Sequence, residues 1–291
     1  MTTKTCFIMG YPSTGKTTFI AALWHSLQQK KTHTKFKLKN YVGNQTYLAT
    51  IEKDWLTGKE VSRTLLPVQN ESLLLTLVDD LNNEINFSFP DFSGELFNNI
   101  YVDREISVEL KKKICTSDAF VLFLSPKTTY EPENIATLPL DIRQENESEE
   151  EKSNYDKVEH DSTAAKLIEL LQIVDYLCQS ECIKLSVIVS AWDRVGMCFQ
   201  NPDEYIKQSL PMLWQYLKAN PKIFNVIYYG VSAQGTELND IKLSQEKNTE
   251  NVERLLEKHE SNPVERIQVV DEHGNTRHDI TLPLWDLISD E

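Results

Sequence analysis

The 291-residue chain predicts an α/β fold: a mostly parallel central sheet with one antiparallel strand, and helices on both faces. Three observations lead there. Short apolar, β-branched runs alternate with stretches of helical periodicity. The run Ala119 to Leu124 is apolar throughout, as a strand covered on both faces must be. The first strand-like run ends in a glycine-bounded turn that opens directly into a helical stretch.

The elements follow in chain order. Thr5 to Met9 is the first strand, closed by Gly10. From Lys16 to Gln29, residues Phe19, Ile20, Leu23, Trp24 and Leu27 fall at helical spacing. Ser72 to Val78 and Ile85 to Phe89 are strands joined by the polar turn Asp79 to Asn83, which makes them an antiparallel pair. Ala119 to Leu124, Leu185 to Val189 and Val226 to Val231 supply three further strands. Ala164 to Cys178 and Tyr205 to Leu217 read as helices, the second with one stripe of Ile206, Leu210, Leu213, Trp214 and Leu217. Arg266 to Val270 and Thr276 to Ile280 flank Glu272 to Asn275 as a hairpin, and Leu284 to Ile288 reads as a closing helix. The whole is one domain over 1–291 with two insertions, an acidic one at 127–161 and a surface one at 236–262. Glu145 to Glu151 alone carries five carboxylates.

Charge narrows the function. The chain carries 44 acidic and 30 basic residues, a net −14, which argues against non-specific binding to nucleic acid or to an anionic membrane. Five cysteines without a C-x-x-C pair predict reduced thiols and a cytoplasmic location. No apolar run approaches the length of a membrane span, and none before Gly10 reads as a signal peptide.

The segment Gly10-Tyr11-Pro12-Ser13-Thr14-Gly15-Lys16-Thr17 fits G-x-x-x-x-G-K-[ST] at every fixed position, between a strand and a helix. Glycines let the backbone wrap an anion, so that successive N–H groups converge on it. The helix start adds unpaired N–H groups and a partial positive charge. Gly10, Ser13, Thr14 and Gly15 would cradle phosphate, Lys16 would reach the β- and γ-phosphates, Thr17 would hold Mg²⁺, and Thr18 would touch the α-phosphate. Downstream, a strand ends in Asp91-Phe92-Ser93-Gly94-Glu95. Asp91 stands where a Mg²⁺-holding carboxylate belongs, and the N–H of Gly94 can bond a γ-phosphate oxygen.

Two later strand ends address the base. Ser190-Ala191-Trp192-Asp193 resembles the Asn-Lys-x-Asp motif of GTPases, with the Asp kept; a carboxylate there accepts the N1–H and N2–H₂ donors of guanine together, a pair adenine lacks. Trp192 either stacks on the base or belongs to the core, the second reading being favoured. Ser232-Ala233-Gln234 resembles the Ser-Ala-Lys loop, whose Ala N–H contacts guanine O6.

With these motifs the chain resembles the P-loop GTPases of the translation-factor and Ras-like class. Its Ser13-x-x-Lys-Thr-Thr-Phe-Ile-Ala-Ala-Leu-Trp string, Arg63-Thr64 pair and Pro-Asp-x-Ser-Gly-Glu string are similar to the bacterial double-GTPase family associated with conflict, or anti-phage, systems. The resemblance implies a Ras-like fold, GTP and Mg²⁺ as ligands, and a companion GTPase or effector as partner. It further implies Thr64, 27 residues before Asp91, as a sensor of Mg²⁺ and γ-phosphate, with Arg63 beside it as an internal arginine that neutralises charge during hydrolysis. Glu95 stands where relatives carry a water-positioning Gln; it could orient water, but its charge should slow hydrolysis. The leading expectation is a GTP-binding switch with slow turnover. The alternatives are a nucleotide-sensing interaction protein with negligible hydrolysis, or a P-loop ATPase or kinase.

Overall fold

The computed structural model describes residues 4–29, 33–61, 73–89, 95–132, 157–178, 181–238 and 244–289. Its strands are β1 (Lys4–Met9), β2 (Lys37–Val42), β3 (Leu73–Val78), β4 (Glu84–Phe89), β5 (Ala119–Leu124), β6 (Ile183–Ser190), β7 (Phe224–Ser232), β8 (Gln268–Val270) and β9 (Thr276–Arg277). They form one sheet in the order β2-β3-β4-β1-β5-β6-β7-β8-β9. The helices are α1 (Lys16–Gln28), α2 (Gln45–Leu56), α3 (Glu95–Asp103), α4 (Val108–Cys115), α5 (Lys157–His160), α6 (Thr163–Cys178), α7 (Pro202–Ser209), α8 (Pro211–Ala219), α9 (Gln245–Lys258) and α10 (Leu282–Trp285).

The centre of the sheet, β4-β1-β5-β6-β7, is parallel throughout. The expectation of one antiparallel strand is corrected: β3 and β8 both run against the others, and β2 and β9 pair antiparallel with them. The expected 266–280 hairpin is present, but it also joins the sheet, because β8 covers the edge of β7 that would otherwise leave N–H and C=O groups unpaired. On the far edge, β2 has no apolar run to announce it; its exposed face is lysine-rich, and Lys37 and Lys39 pair with Asp80 and Glu84 beyond β3. Antiparallel β3 and β4 alternate buried and half-buried residues, whereas all six residues of β5 are buried.

Helices cover both faces. Along β1, Cys6 and Ile8 point into a core shared with α1, α2 and α10, while Phe7 and Met9 point into a second core with α3, α4, α6, α7 and α8. Helix α1 buries nearly its whole circumference, from Phe19 to Ser26, because it lies between the sheet and α2. The single helix expected over Tyr205 to Leu217 is corrected to two. Pro211 has no N–H to continue the ladder, and Leu210 before it sits at φ −135°, ψ 58°, outside the helical region. Most of the stripe survives the break: Ile206, Leu210, Leu213 and Leu217 are buried, while Trp214 is half-buried.

Most of the expected acidic insertion lies outside the described residues. Its ends do not: the Tyr130 N–H donates to Thr163 Oγ1 at 2.8 Å, and Glu131 accepts from the Ala164 N–H at 2.8 Å, holding the start of α6. The 236–262 stretch carries α9, largely exposed. At the far ends of the chain, Lys4 Nζ donates to the Ile288 carbonyl at 2.9 Å. No helix among the described residues is long and apolar enough to cross a membrane.

Candidate functional site

The site grows from the carboxyl ends of the parallel strands, the usual location for ligands in such sheets. β6 pairs with β7 up to its last residue, Ser190, which lies opposite Val231. The loops after them therefore emerge side by side, beside the turn that follows β1. One hollow is lined by Ser13, Gly15 and Thr18 from the first turn, by Asp193 after β6, and by Ala233 and Gln234 after β7.

The β1–α1 turn is shaped by its backbone. Gly10 has φ 153°, Ser13 61° and Gly15 83°, so left-handed residues punctuate the bend and its N–H groups can face inward. Neither glycine has room for a methyl group. A Cβ on Gly10 would lie 2.8 Å from the Phe123 carbonyl oxygen, and one on Gly15 would lie 2.8 Å from Ser190 Oγ. The β1–α1 turn and the carboxyl end of β6 are thus pressed directly together. Lys16 is 5% exposed, and its Nζ donates to the carbonyls of Gly10 at 2.6 Å and Tyr11 at 2.8 Å. The ammonium is held under its own loop rather than drawn into unrelated packing. Thr14 Oγ1 donates to the Tyr11 carbonyl at 2.8 Å and tightens the same bend. Thr17 and Thr18 follow in the first turn of α1, both half-buried. Burial raises the Tyr11 phenol, whose hydroxyl donates to the Lys166 carbonyl at 3.0 Å.

After β6, Ala191 adopts φ 49°, ψ 45°, a left-handed conformation that costs a non-glycine residue of order 1 kcal/mol. What holds it is Trp192, 4% exposed, whose ring lies where a Cβ on Gly230 would come within 2.4 Å. Trp192 stacks edge-on to Tyr205 at 6.3 Å and belongs to the core, as the favoured reading had it. Burying this ring turns Asp193 towards the β7 loop. There Asp193 Oδ1 accepts from Ser232 Oγ, which in turn accepts from the Gly235 N–H at 3.2 Å. An Arg194–Glu237 ion pair also ties the two loops.

Of the residues the motifs single out, Ser13, Gly15, Thr18, Asp193 and Ala233 line this hollow, Ser232 is hydrogen-bonded to Asp193, and Lys16 is hydrogen-bonded to Gly10 within the turn; Thr14 lines a second hollow with Tyr11 and Pro12, and Thr17 lies in the first turn of α1. Arg63, Thr64, Asp91 and Gly94 lie outside the described residues; Glu95 opens α3, but its side chain is likewise outside them. For a divalent cation, the described donor is the Thr17 hydroxyl, a hard oxygen of the kind Mg²⁺ takes, and it stands in the first helical turn after Lys16. Among the described residues there is no group of three His, Cys, Asp or Glu that could hold a metal by itself.

Residues that the motifs did not flag also line the hollow: Lys59, Glu60 and Val61, just beyond α2. Trp55, at the end of α2, donates from its indole Nε1 to the Ala233 carbonyl at 2.8 Å. Its signal in the sequence was the helical spacing of Tyr47, Leu48, Ile51 and Trp55, which announces a buried face but not what that face touches. A family model described as Double-GTPase 1 matches residues 7–287. No curated protein matches the chain.

Proposed function

The chain belongs to the Double-GTPase 1 family, and from that premise we propose that it is a Mg²⁺-dependent, guanine-nucleotide-binding switch that hydrolyses GTP slowly. The observation that supports this reading is that Ser13 and Gly15 of the β1–α1 turn, Thr18 just after it, and Asp193 and Ala233 after β6 and β7 line one hollow. The left-handed bend at Gly10, Ser13 and Gly15, the α1 terminus and the Lys16 ammonium suit a triphosphate. Asp193, oriented by Ser232, suits the adjacent N1–H and N2–H₂ donors of guanine, and the Ala233 N–H suits O6.

Thr17, with Asp91 and Thr64, would hold the metal. A bound Mg²⁺ neutralises charge on the β- and γ-phosphates. Thr64 and Gly94 would sense the γ-phosphate, so that its loss releases the two loops that carry them. Glu95 would orient the attacking water while its charge restrains the rate, and Arg63 would offset charge as the bond breaks. The state of those loops is what a companion GTPase or effector would read, and a defence role in bacteria fits such a pairing.

Calorimetry with GTP and ATP, each with and without Mg²⁺, tests this directly, with Lys16→Ala as the background. Asp193→Asn should weaken GTP by at least about a hundredfold and strengthen xanthosine triphosphate, because the amide donor then meets a carbonyl at position 2. ATP binding that is strong and indifferent to Asp193→Asn would leave an ATPase or kinase as the better description. GTP binding without phosphate release above the Lys16→Ala background would leave a nucleotide sensor.

A further inference from the structure

We propose that Trp55 is a positioning residue for base recognition, clamping the loop that follows β7 from a helix that carries no nucleotide motif. The inference rests on the reading of Asp193 and Ala233 as the base-recognition end of the hollow.

Three hydrogen bonds and two close approaches make the clamp. The Trp55 indole N–H holds the Ala233 carbonyl at 2.8 Å. The Trp55 carbonyl accepts from Gln234 Nε2 at 3.3 Å and from the Arg266 guanidinium. That guanidinium lies 3.8 Å from the centre of the Trp55 ring, and a Cβ on Gly235 would come within 2.6 Å of the Arg266 carbonyl oxygen. Residues 233–235 are thus gripped between α2 and the short 3₁₀ turn at Pro263–Arg266. The grip is rigid: Trp55 is fully buried and Arg266 is 2% exposed. Burial lowers the Arg266 pKa to about 10, which still leaves it charged at neutral pH.

The chemistry gives this contact a specific consequence. Ala233 can offer its N–H to guanine O6 only while the backbone on both sides of its Cα is held; β7 carries the peptide before it, and Trp55 anchors the peptide after it through the Ala233 carbonyl. Adenine carries an amino group in place of O6 and gains nothing from that N–H. Loss of the indole donor should therefore weaken guanine nucleotides selectively, whereas loose packing would weaken all purine nucleotides alike.

The test is Trp55→Phe, which keeps a ring beneath Arg266 and removes the N–H. Titration calorimetry with GTP and ATP should show GTP affinity falling about tenfold and ATP affinity unchanged, so that selectivity falls by the same factor. Arg266→Lys attacks the other jaw and should lower the same ratio, which keeps the test available if Trp55→Phe does not fold. An unchanged GTP-to-ATP ratio in a folded variant, or equal losses for both nucleotides, would overturn the positioning role. Absence of a GTP preference in the unmodified protein would instead overturn the base-site reading, and this inference with it.

Discussion

At the scale of single residues, the site depends on atoms that are missing as much as on those present. Gly230 faces the Trp192 ring so closely that a Cβ would lie 2.4 Å from it. Gly230→Ala must displace that ring, and overpacking of this kind costs about 1–3 kcal/mol. A lower urea midpoint is expected, together with weaker GTP binding, since Trp192 is the support behind Asp193. The bend between β1 and α1 was legible from the sequence because the glycine spacing marks it: Gly10 and Gly15 take positive φ there, and Lys16 bonds back to the Gly10 carbonyl. Trp55 was not legible as part of the site. Its partner Ala233 lies 178 residues away, and periodicity reports a buried face without naming what fills it.

At the scale of elements, α2 carries the clamp and so must be held at both ends. Asn44 caps its start, its side chain accepting from the Tyr47 N–H at 3.0 Å. Asn44→Ala should cost about 1 kcal/mol, seen as a shifted urea midpoint with an unchanged slope. Neither α2 nor β2 was foreseen. β2 (Lys-Leu-Lys-Asn-Tyr-Val) is an exposed edge strand, and an edge without a buried face leaves little trace in hydropathy. The central strands were legible for the opposite reason: β5 and the inner residues of β6 are buried on both sides and must be apolar at nearly every position. The α7–α8 break was written in the sequence as Pro211, but the apolar stripe across it is continuous and masks the change of direction.

At the scale of the whole molecule, many weakly acidic groups are buried in neutral form, and this sets the direction of pH dependence. Burial raises the Cys6 thiol, and burial, then Cys115 and Asp175, push Cys178 up to about 11. Burial likewise raises the phenols of Tyr11, Tyr228 and Tyr229. Each folded-state group keeps a proton that the unfolded chain releases above about pH 8.5 for thiols and about pH 10 for phenols. Their contribution is fully present below those values and is lost as pH rises through the folded ones, at about 1.4 kcal/mol per unit for each proton. Urea midpoints should therefore hold from about pH 7 to 8 and fall steadily from about pH 9 upward.

The bond from Lys4 to the Ile288 carbonyl has a topological meaning. With Lys4 and Ile288 in touch, the path between these two residues is nearly a closed ring. A short tether across that gap, with a new opening cut in an exposed turn such as 79–83, would reorder the sequence while keeping every strand beside its present neighbours.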